Sequence, residues 1–441
     1  MTLSPVSLPK RGTGSDLAIA AAILAASGAV PPDALAGLVL LGELGLDGQL
    51  RPVTGILPAV TAAAACGFTT TVAVPQARAA EAALVPGMRV LPVPGLASLL
   101  AHLRSRNGSD MPVAVPGQDQ PGPATGSAAA AGQPDLCDVR GQPGARRAAE
   151  VCAAGAHHLA MTGSPGAGAA MLAERLPGLL PPLDHAAAME VTAVHSLAGR
   201  LAPGQPLITS PPLSAPHHTA TTAAIFGGGS GTIRPGAVSL AHRGVLFLAD
   251  APEFSRDGLD ALRQPLETGE VAVARSGLTA RFPARFLLVV AARRCPCAQP
   301  AGCTCTLFAK RRYLARLSGL LNHVEVKTEL RPAAVPGPPG ETSAAVAARV
   351  ALARERAAAR LAGTPWRLNS EIPGSELRRR FPPGRDALAR VERALQLGQI
   401  SAATAGRVLR VAWTLADLAA KPRPGPGETS EALALWLGVT P

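Results

Sequence analysis

The residues with the plainest chemical spacing are Gly163-Ser164-Pro165-Gly166-Ala167-Gly168-Ala169-Ala170. They have the frame of a phosphate loop, G-x-x-x-x-G-K-[ST]. In that motif backbone N–H groups cradle phosphates, the Lys neutralises them and the hydroxyl holds Mg²⁺. Here the glycines are kept, while Ala169 and Ala170 stand where Lys and Ser/Thr belong. The only lysines are Lys10, Lys310, Lys327 and Lys421, so none lies on the helix that follows the loop. A second constellation is Cys295-Pro296-Cys297 with Cys303-Thr304-Cys305. Four thiolates this close can hold Zn²⁺ tetrahedrally as a structural site. The competing reading is a reduced cysteine loop or an occasional disulfide, and the metal reading is preferred. His217-His218 lacks a carboxylate at close spacing and is read as structural or interfacial. His157 and His158 are read as packing residues.

The elements that must position these residues follow from pattern. The first part reads as a small α/β domain over residues 1–106. It has a helix at 15–30, a strand at Leu38–Leu44, a helix at Leu57–Ala65 and a strand at Thr70–Val74. A helix, a short strand around Val90–Val93 and a last helix complete it. Residues 107–134 are rich in Gly, Pro, Ser and Ala and read as a linker. A second α/β unit spans 135–332. Ala145–Gly155 reads as a helix, His157–Thr162 as a strand running into the glycine loop, and Met171–Leu180 as the helix after it. Gly244–Leu248 and Phe286–Ala292 are continuous apolar runs, as in buried parallel strands. Helices between such strands imply a doubly wound sheet. A helical unit follows at 341–421, with Ser343–Leu361, Asp386–Leu397 and Ala402–Ala420 as its helices.

The chain of 441 residues is long enough for two or three cores. Aromatic content is only 3%, so those cores are built from Ala, Val and Leu. The net charge of +12 suits an anionic partner, nucleic acid above all. The segment Arg275–Arg331 holds 11 Lys/Arg against Glu325 and Glu329. Most of that run reads as solvated surface, with Arg293 and Arg294 able to touch DNA phosphates. Seven cysteines, four of them clustered, argue against a secreted disulfide framework. The start lacks a signal-peptide core, and the apolar runs are too short to span a membrane. The expectation is a cytoplasmic protein.

The order of motifs resembles the magnesium-chelatase-like AAA+ ATPases of the ComM/YifB type. The strings that carry this are GSDLAIAAAILAASGAVP and GLVLLGELGLDGQLRPVTGILPAV in the first unit. In the second they are DVRGQPGARRAAEVCAAGAHHL, APHHTAT, RPGAVSLAHRGVLFL, PEFSRDGLDALRQPLETGEV and CPC. RVLRVAWTLADLA carries it in the last. The resemblance implies a Lon-protease-like N-terminal α/β domain, shortened here, an AAA+ doubly wound parallel sheet and a helical C-terminal lid. It implies ATP and Mg²⁺ as ligands, held by Gly163–Ala170 with Asp250 and Glu253 as catalytic carboxylates, although the residues alone read Glu253 equally well as a solvated turn residue. It implies DNA as a partner and a homo- or hetero-hexamer, with no membrane.

Against that pattern, Ala249 takes the place of the metal-site Asp, with Asp250 in the place of the neighbouring Glu. Arg293 stands for the sensor Asn. The lid's sensor Arg falls on Ala403, although Arg407 and Arg410 are kept. The segment Ser318–Val326 lacks five residues, among them the arginine finger. Phosphoryl transfer relies on such parts together, and an arginine finger alone is worth about 10³–10⁵ in rate. The expectation is lost hydrolysis, weak nucleotide binding and poor ring assembly. A working DNA motor with unusual site residues is the alternative; a non-catalytic scaffold or decaying gene product is another. A Lon-type peptidase is disfavoured because Leu57 holds the position of its lysine.

Overall fold

The computed structural model describes residues 12–67, 71–105, 134–201, 207–229, 232–275, 278–297, 299, 303–331 and 337–439. The expected linker therefore lies, apart from Pro134, outside the described residues.

The N-terminal unit is built on three parallel strands, β1 (Leu38–Leu40), β2 (Thr71–Pro75) and β3 (Arg89–Val93), in that spatial order. Alternate residues face opposite ways along a strand. Val72, Val74 and Val90 accordingly meet Ile56, Leu57 and Val60 of one helix (Ile56–Cys66). Ala73, Leu91 and Val93 meet Leu17 and Leu99 of two others (Asp16–Ala26 and Leu96–Arg104). The single strand expected at Leu38–Leu44 is two pieces. Glu43–Leu44 leaves the sheet and pairs antiparallel with Leu50–Arg51. Leu57 is buried in this core.

The second unit holds a five-stranded parallel sheet: β4 (Leu159–Gly163), β5 (Leu213–Ser214), β6 (Val245–Leu248), β7 (Leu287–Arg293) and β8 (Val326–Leu330). Their order across the sheet is β8-β4-β7-β6-β5, and every pairing is parallel. All four residues of β6 are buried, which is why it reads as an unbroken apolar run. On one face pack helix α1 (Pro143–Gly155) and the whole helical unit, through Val151, Leu159, Val350, Val408 and Leu415. On the other lie Phe254, Leu259, Leu262 and Leu320. Helix α2 (Ala169–Arg175) follows the glycine loop and stops early, because Pro177 turns the chain into a 3₁₀ turn short of the expected Leu180. Helix α3 (His185–Leu197), capped by the Asp184 carboxylate, carries Met189 and Ala193 onto the N-terminal core.

The helical unit contains α5 (Ser343–Leu361), α6 (Arg385–Gln396), α7 (Ala402–Leu418) and α8 (Pro426–Leu437); α4 (Leu307–Ala315) precedes it beside the sheet. The last helix lies beyond the expected end at 421. Its Ala432 and Leu435 join the common core against α7. Pro426 stands at its first position, where the missing N–H and fixed φ of proline suit a helix start. Among the described residues no helix is long and apolar enough to cross a membrane.

Candidate functional site

The carboxyl ends of β4, β6 and β7 converge on one cavity of about 490 Å³, lined by Gly163–Met171, Ala249, Asp250 and Arg293. Ligands of open parallel sheets lie at this edge. Gly163 closes β4 where a Cβ would meet the Leu330 carbonyl oxygen at 2.9 Å. Gly168 leads into α2 with φ +95°, a conformation that favours glycine. The loop closes on itself, Ala167 N donating to Ser164 O at 3.1 Å. Gln142 ties it to the neighbouring strand, its Nε2 donating to Arg331 O at 2.5 Å and Ala167 O at 3.4 Å. Ser164 Oγ is buried without a hydrogen-bond partner among the described residues. The cradle is thus built, while Ala169 and Ala170 bring no cation and no hydroxyl to it.

Asp250 follows β6 in a left-handed conformation, φ +48°, which Asp tolerates better than most residues. Its Oδ1 lies 2.9 Å from Arg293 Nε. Arg293 Nη2 donates to Glu253 Oε1 at 2.5 Å, and the Tyr313 hydroxyl donates to the same oxygen at 3.0 Å. Burial pulls the Arg293 pKa down. The charges of Tyr313, Asp250 and Glu253 outweigh this and leave it raised. Burial and the Glu253 hydrogen bond push Tyr313 up to about 12. Arg293 is therefore no solvated or DNA-facing arginine, as its basic run suggested. It spans both candidate catalytic carboxylates. Arg294 pairs with Glu329 on β8. Glu253 stands behind Arg293 and outside the cavity lining.

Mg²⁺ does not fit these residues. Ala170 offers no hydroxyl, Ala249 no carboxylate, and Asp250 and Glu253 are both engaged by a guanidinium. Two carboxylates against one arginine also leave the mouth net negative, which works against a polyphosphate. A nucleotide fits better than its metal, through the backbone of residues 163–168 and Ser164 Oγ.

The lid arginines do not reach this loop. Ala403, Arg407 and Arg410 line a second cavity of about 690 Å³ at the opposite, amino ends of the strands, with His158, Arg243 and Glu325. Arg410 Nε donates to Ile372 O at 2.6 Å, and its Nη1 lies 3.5 Å from Glu325.

Cys295, Cys297, Cys303 and Cys305 come together, all four sulfurs within 4.8 Å of one another. Cys295 Sγ lies 3.0 Å from Cys297 and 3.3 Å from Cys303. Hydrogen bonding within the cluster pulls the Cys297 thiol down to about 6 and pushes Cys295 up to about 12 and Cys305 up, so the thiols do not titrate alike. The rings of His217 and His218 stack at 4.1 Å, and His217 Nδ1 bonds Thr219. Among the described residues they belong to no metal-ligating group. Tyr313 and Gln142 were missed as site residues. No local signal marks them, since each acts on a partner 60 or 189 residues away.

Comparison with known proteins agrees with the parallel-sheet fold and its helical C-terminal unit. The family model described as magnesium chelatase, subunit ChlI, matches residues 135–335, its C-terminal counterpart residues 340–435, and subunit ChlI of Mg-chelatase residues 1–78. The uncharacterised protein Rv2897c of Mycobacterium tuberculosis is 49% identical over 98% of this chain and 85% of its own length. The uncharacterised protein YifB of Escherichia coli is 37% identical over 95% of this chain and 81% of its own. Competence protein ComM of Haemophilus influenzae is 36% identical over the same shares.

Proposed function

The chain belongs to the magnesium-chelatase-like family that includes ComM and YifB, and on that premise we propose that it is a non-hydrolysing member which binds nucleotide weakly and acts on DNA as a scaffold or ring subunit. The family points to ATP and Mg²⁺ as ligands of the fold. The observation that carries the proposal is the Arg293 bridge across Asp250 and Glu253 at a glycine loop without its lysine. Catalysis of phosphoryl transfer is mostly positioning and charge stabilisation. Here the two carboxylates that would organise metal and water hold an arginine instead. The backbone of Gly163–Gly168 remains for the phosphates.

DNA as partner is supported by the name of the competence relative and by the charge of +12. Helix α4 adds exposed Arg311 and Arg312 next to the site. We place the protein in the cytoplasm, since seven cysteines with four clustered do not make a secreted disulfide framework, and we read the four clustered cysteines as ligands of one zinc ion. Ring assembly is expected to be poor, because the segment Leu320–Val326 is short where the family carries its intersubunit arginine.

The test is ATP binding by the purified chain, then turnover with Mg²⁺ in the presence and absence of single-stranded DNA. Weak binding with no turnover in either condition is expected. DNA-stimulated hydrolysis would overturn the proposal, and so would a complete lack of nucleotide binding. A nucleotide-induced hexamer in light scattering would refute the assembly expectation.

A further inference from the structure

The cysteine loop joins two elements that both hold Glu253. Upstream, β7 ends at Arg293, two residues before Cys295, and Arg293 Nη2 donates to Glu253 Oε1. Downstream, Cys303 and Cys305 lead through the Thr306 cap into α4. There Tyr313 donates its hydroxyl to the same oxygen, with the Arg293 guanidinium 6.0 Å from its ring. The far end of α4 has its own tether, Arg316 Nη2 donating to Phe254 O at 2.9 Å. The near end presents Leu307 and Phe308 to solvent, 66% and 74% exposed. What spans the gap at that end is the thiol cluster, with Cys295 Sγ 3.3 Å and Cys297 Sγ 3.5 Å from Cys303. Zn–S bonds of about 2.3 Å in a tetrahedron set sulfurs about 3.8 Å apart. The observed separations, none above 4.8 Å, bracket that distance.

Resting on the zinc reading above, we propose that one Zn²⁺ held by Cys295, Cys297, Cys303 and Cys305 cross-links the end of β7 to the start of α4, and so positions Arg293 and Tyr313 together on Glu253 at the mouth of the glycine-loop pocket. The ion touches neither nucleotide nor carboxylate. It fixes the distance between the two elements whose side chains meet there, as outer-lying groups fix the groups they support. Loss of the ion frees the near end of α4, and the Tyr313–Glu253 hydrogen bond loosens with it.

Tyr313 is the only tyrosine in the chain, so its phenolate absorbance reports this link directly. The full chain is purified under reducing conditions and analysed for metal, and Co²⁺ is exchanged in to read the ligand set from its absorption bands. One zinc per chain and a four-sulfur tetrahedral Co²⁺ spectrum are expected. Phenolate absorbance is then read at about pH 10.5, just above the ordinary tyrosine range. The zinc-loaded chain should show little. The chelated chain, and Cys305→Ser, should show several-fold more at unchanged far-UV circular dichroism. Zinc below about a tenth of an equivalent would sink the zinc reading and this inference together. Full zinc with the same phenolate signal before and after chelation would overturn the positioning alone. Should Cys305→Ser fail to fold, chelation of the unsubstituted chain still decides the question.

Discussion

The glycine-loop pocket and the seam between sheet and lid teach opposite lessons. At the pocket the backbone is intact, the lysine and hydroxyl are gone, and the remaining carboxylates hold an arginine. At the seam, and in the lid network directly behind it, nearly every polar side-chain atom is engaged. Buried His157 shares a 2.8 Å hydrogen bond with Thr414 of α7. Asn369 Nδ2 donates to Thr414 at 3.0 Å and to Asp417 at 2.8 Å. Arg360 forks onto Asp417, donates to Asn369 Oδ1 at 2.7 Å and stacks on Trp413 at 4.2 Å. Only His157 Nδ1 and Arg360 Nε are left without partners in this set. Further out, Glu150 is held by Arg147 and Arg349, and Arg354 donates to Ala153 O. The difference is energetic. A buried polar network that loses one member leaves the others unpaired, which costs stability directly. A phosphate-loop lysine faces solvent and ligand, so an alanine in its place leaves the fold alone.

The comparison is broken most forcefully at Asp417. Asp417→Ala leaves the Arg360 guanidinium without its carboxylate in a site where Asp417 is 2% exposed. A loss of about 3–5 kcal/mol in urea unfolding is expected, with nucleotide affinity of the folded fraction unchanged. A loss below about 1 kcal/mol would mean the lid network behind the seam is as dispensable as the loop's lysine.

Acidification tests the same seam more gently. Burial holds the His157 pKa down at about 3 and that of His158 at about 4. Their folded values lie below the unfolded 6.5, so the stability they carry is present above pH 6.5 and lost as pH falls toward those values. Burial raises Glu325 to about 7 from 4.5. Its contribution runs the other way, present below pH 4.5 and lost as pH rises through 7. Between pH 6.5 and 4.5 the carboxyl offsets one histidine. For these three groups alone the balance is a loss of about 1.4 kcal/mol for each unit of acidification, and His195, His242 and His323, lowered by burial, push the same way. Urea midpoints across that window check the sign, and a rise on acidification would show that Glu325 outweighs the histidines.

The smallest effect on stability is expected at the loop itself. Ala169→Lys with Ala170→Thr should change unfolding free energy by no more than about 0.5 kcal/mol. It should tighten ATP binding, while turnover stays absent because Arg293 still spans Asp250 and Glu253. Turnover restored by these two changes alone would sharpen the comparison into a different one, with the arginine bridge as a bystander.

Much of this was legible in the residues. The apolar runs at Gly244–Leu248 and Phe286–Ala292, the glycine spacing and the helix at Ser343–Leu361 are local patterns, and local patterns of period 2 or 3.6 survive in one dimension. The losses at Ala169 and Ala170 needed only the motif. The clustering of four cysteines was already present in their spacing. Other features could not be read this way. Helix α8 lies past the end expected at 421, and only its packing against α7 ties it to the unit. The strand at Leu38 parts from Glu43 because its partners lie elsewhere in the chain. What only the tertiary structure decided is what fills the place of the lost chemistry. Arg293 lies 43 residues from Asp250 and Tyr313 lies 60 from Glu253. Their meeting depends on β6, β7 and α4 being packed side by side. The same packing sends Arg407 and Arg410 to the amino ends of the strands, away from the loop. Sequence fixes which side chains exist and the local backbone they favour. Which charges neutralise one another is set by distances across the fold, since Coulomb interactions and hydrogen bonds act through space and not along the chain.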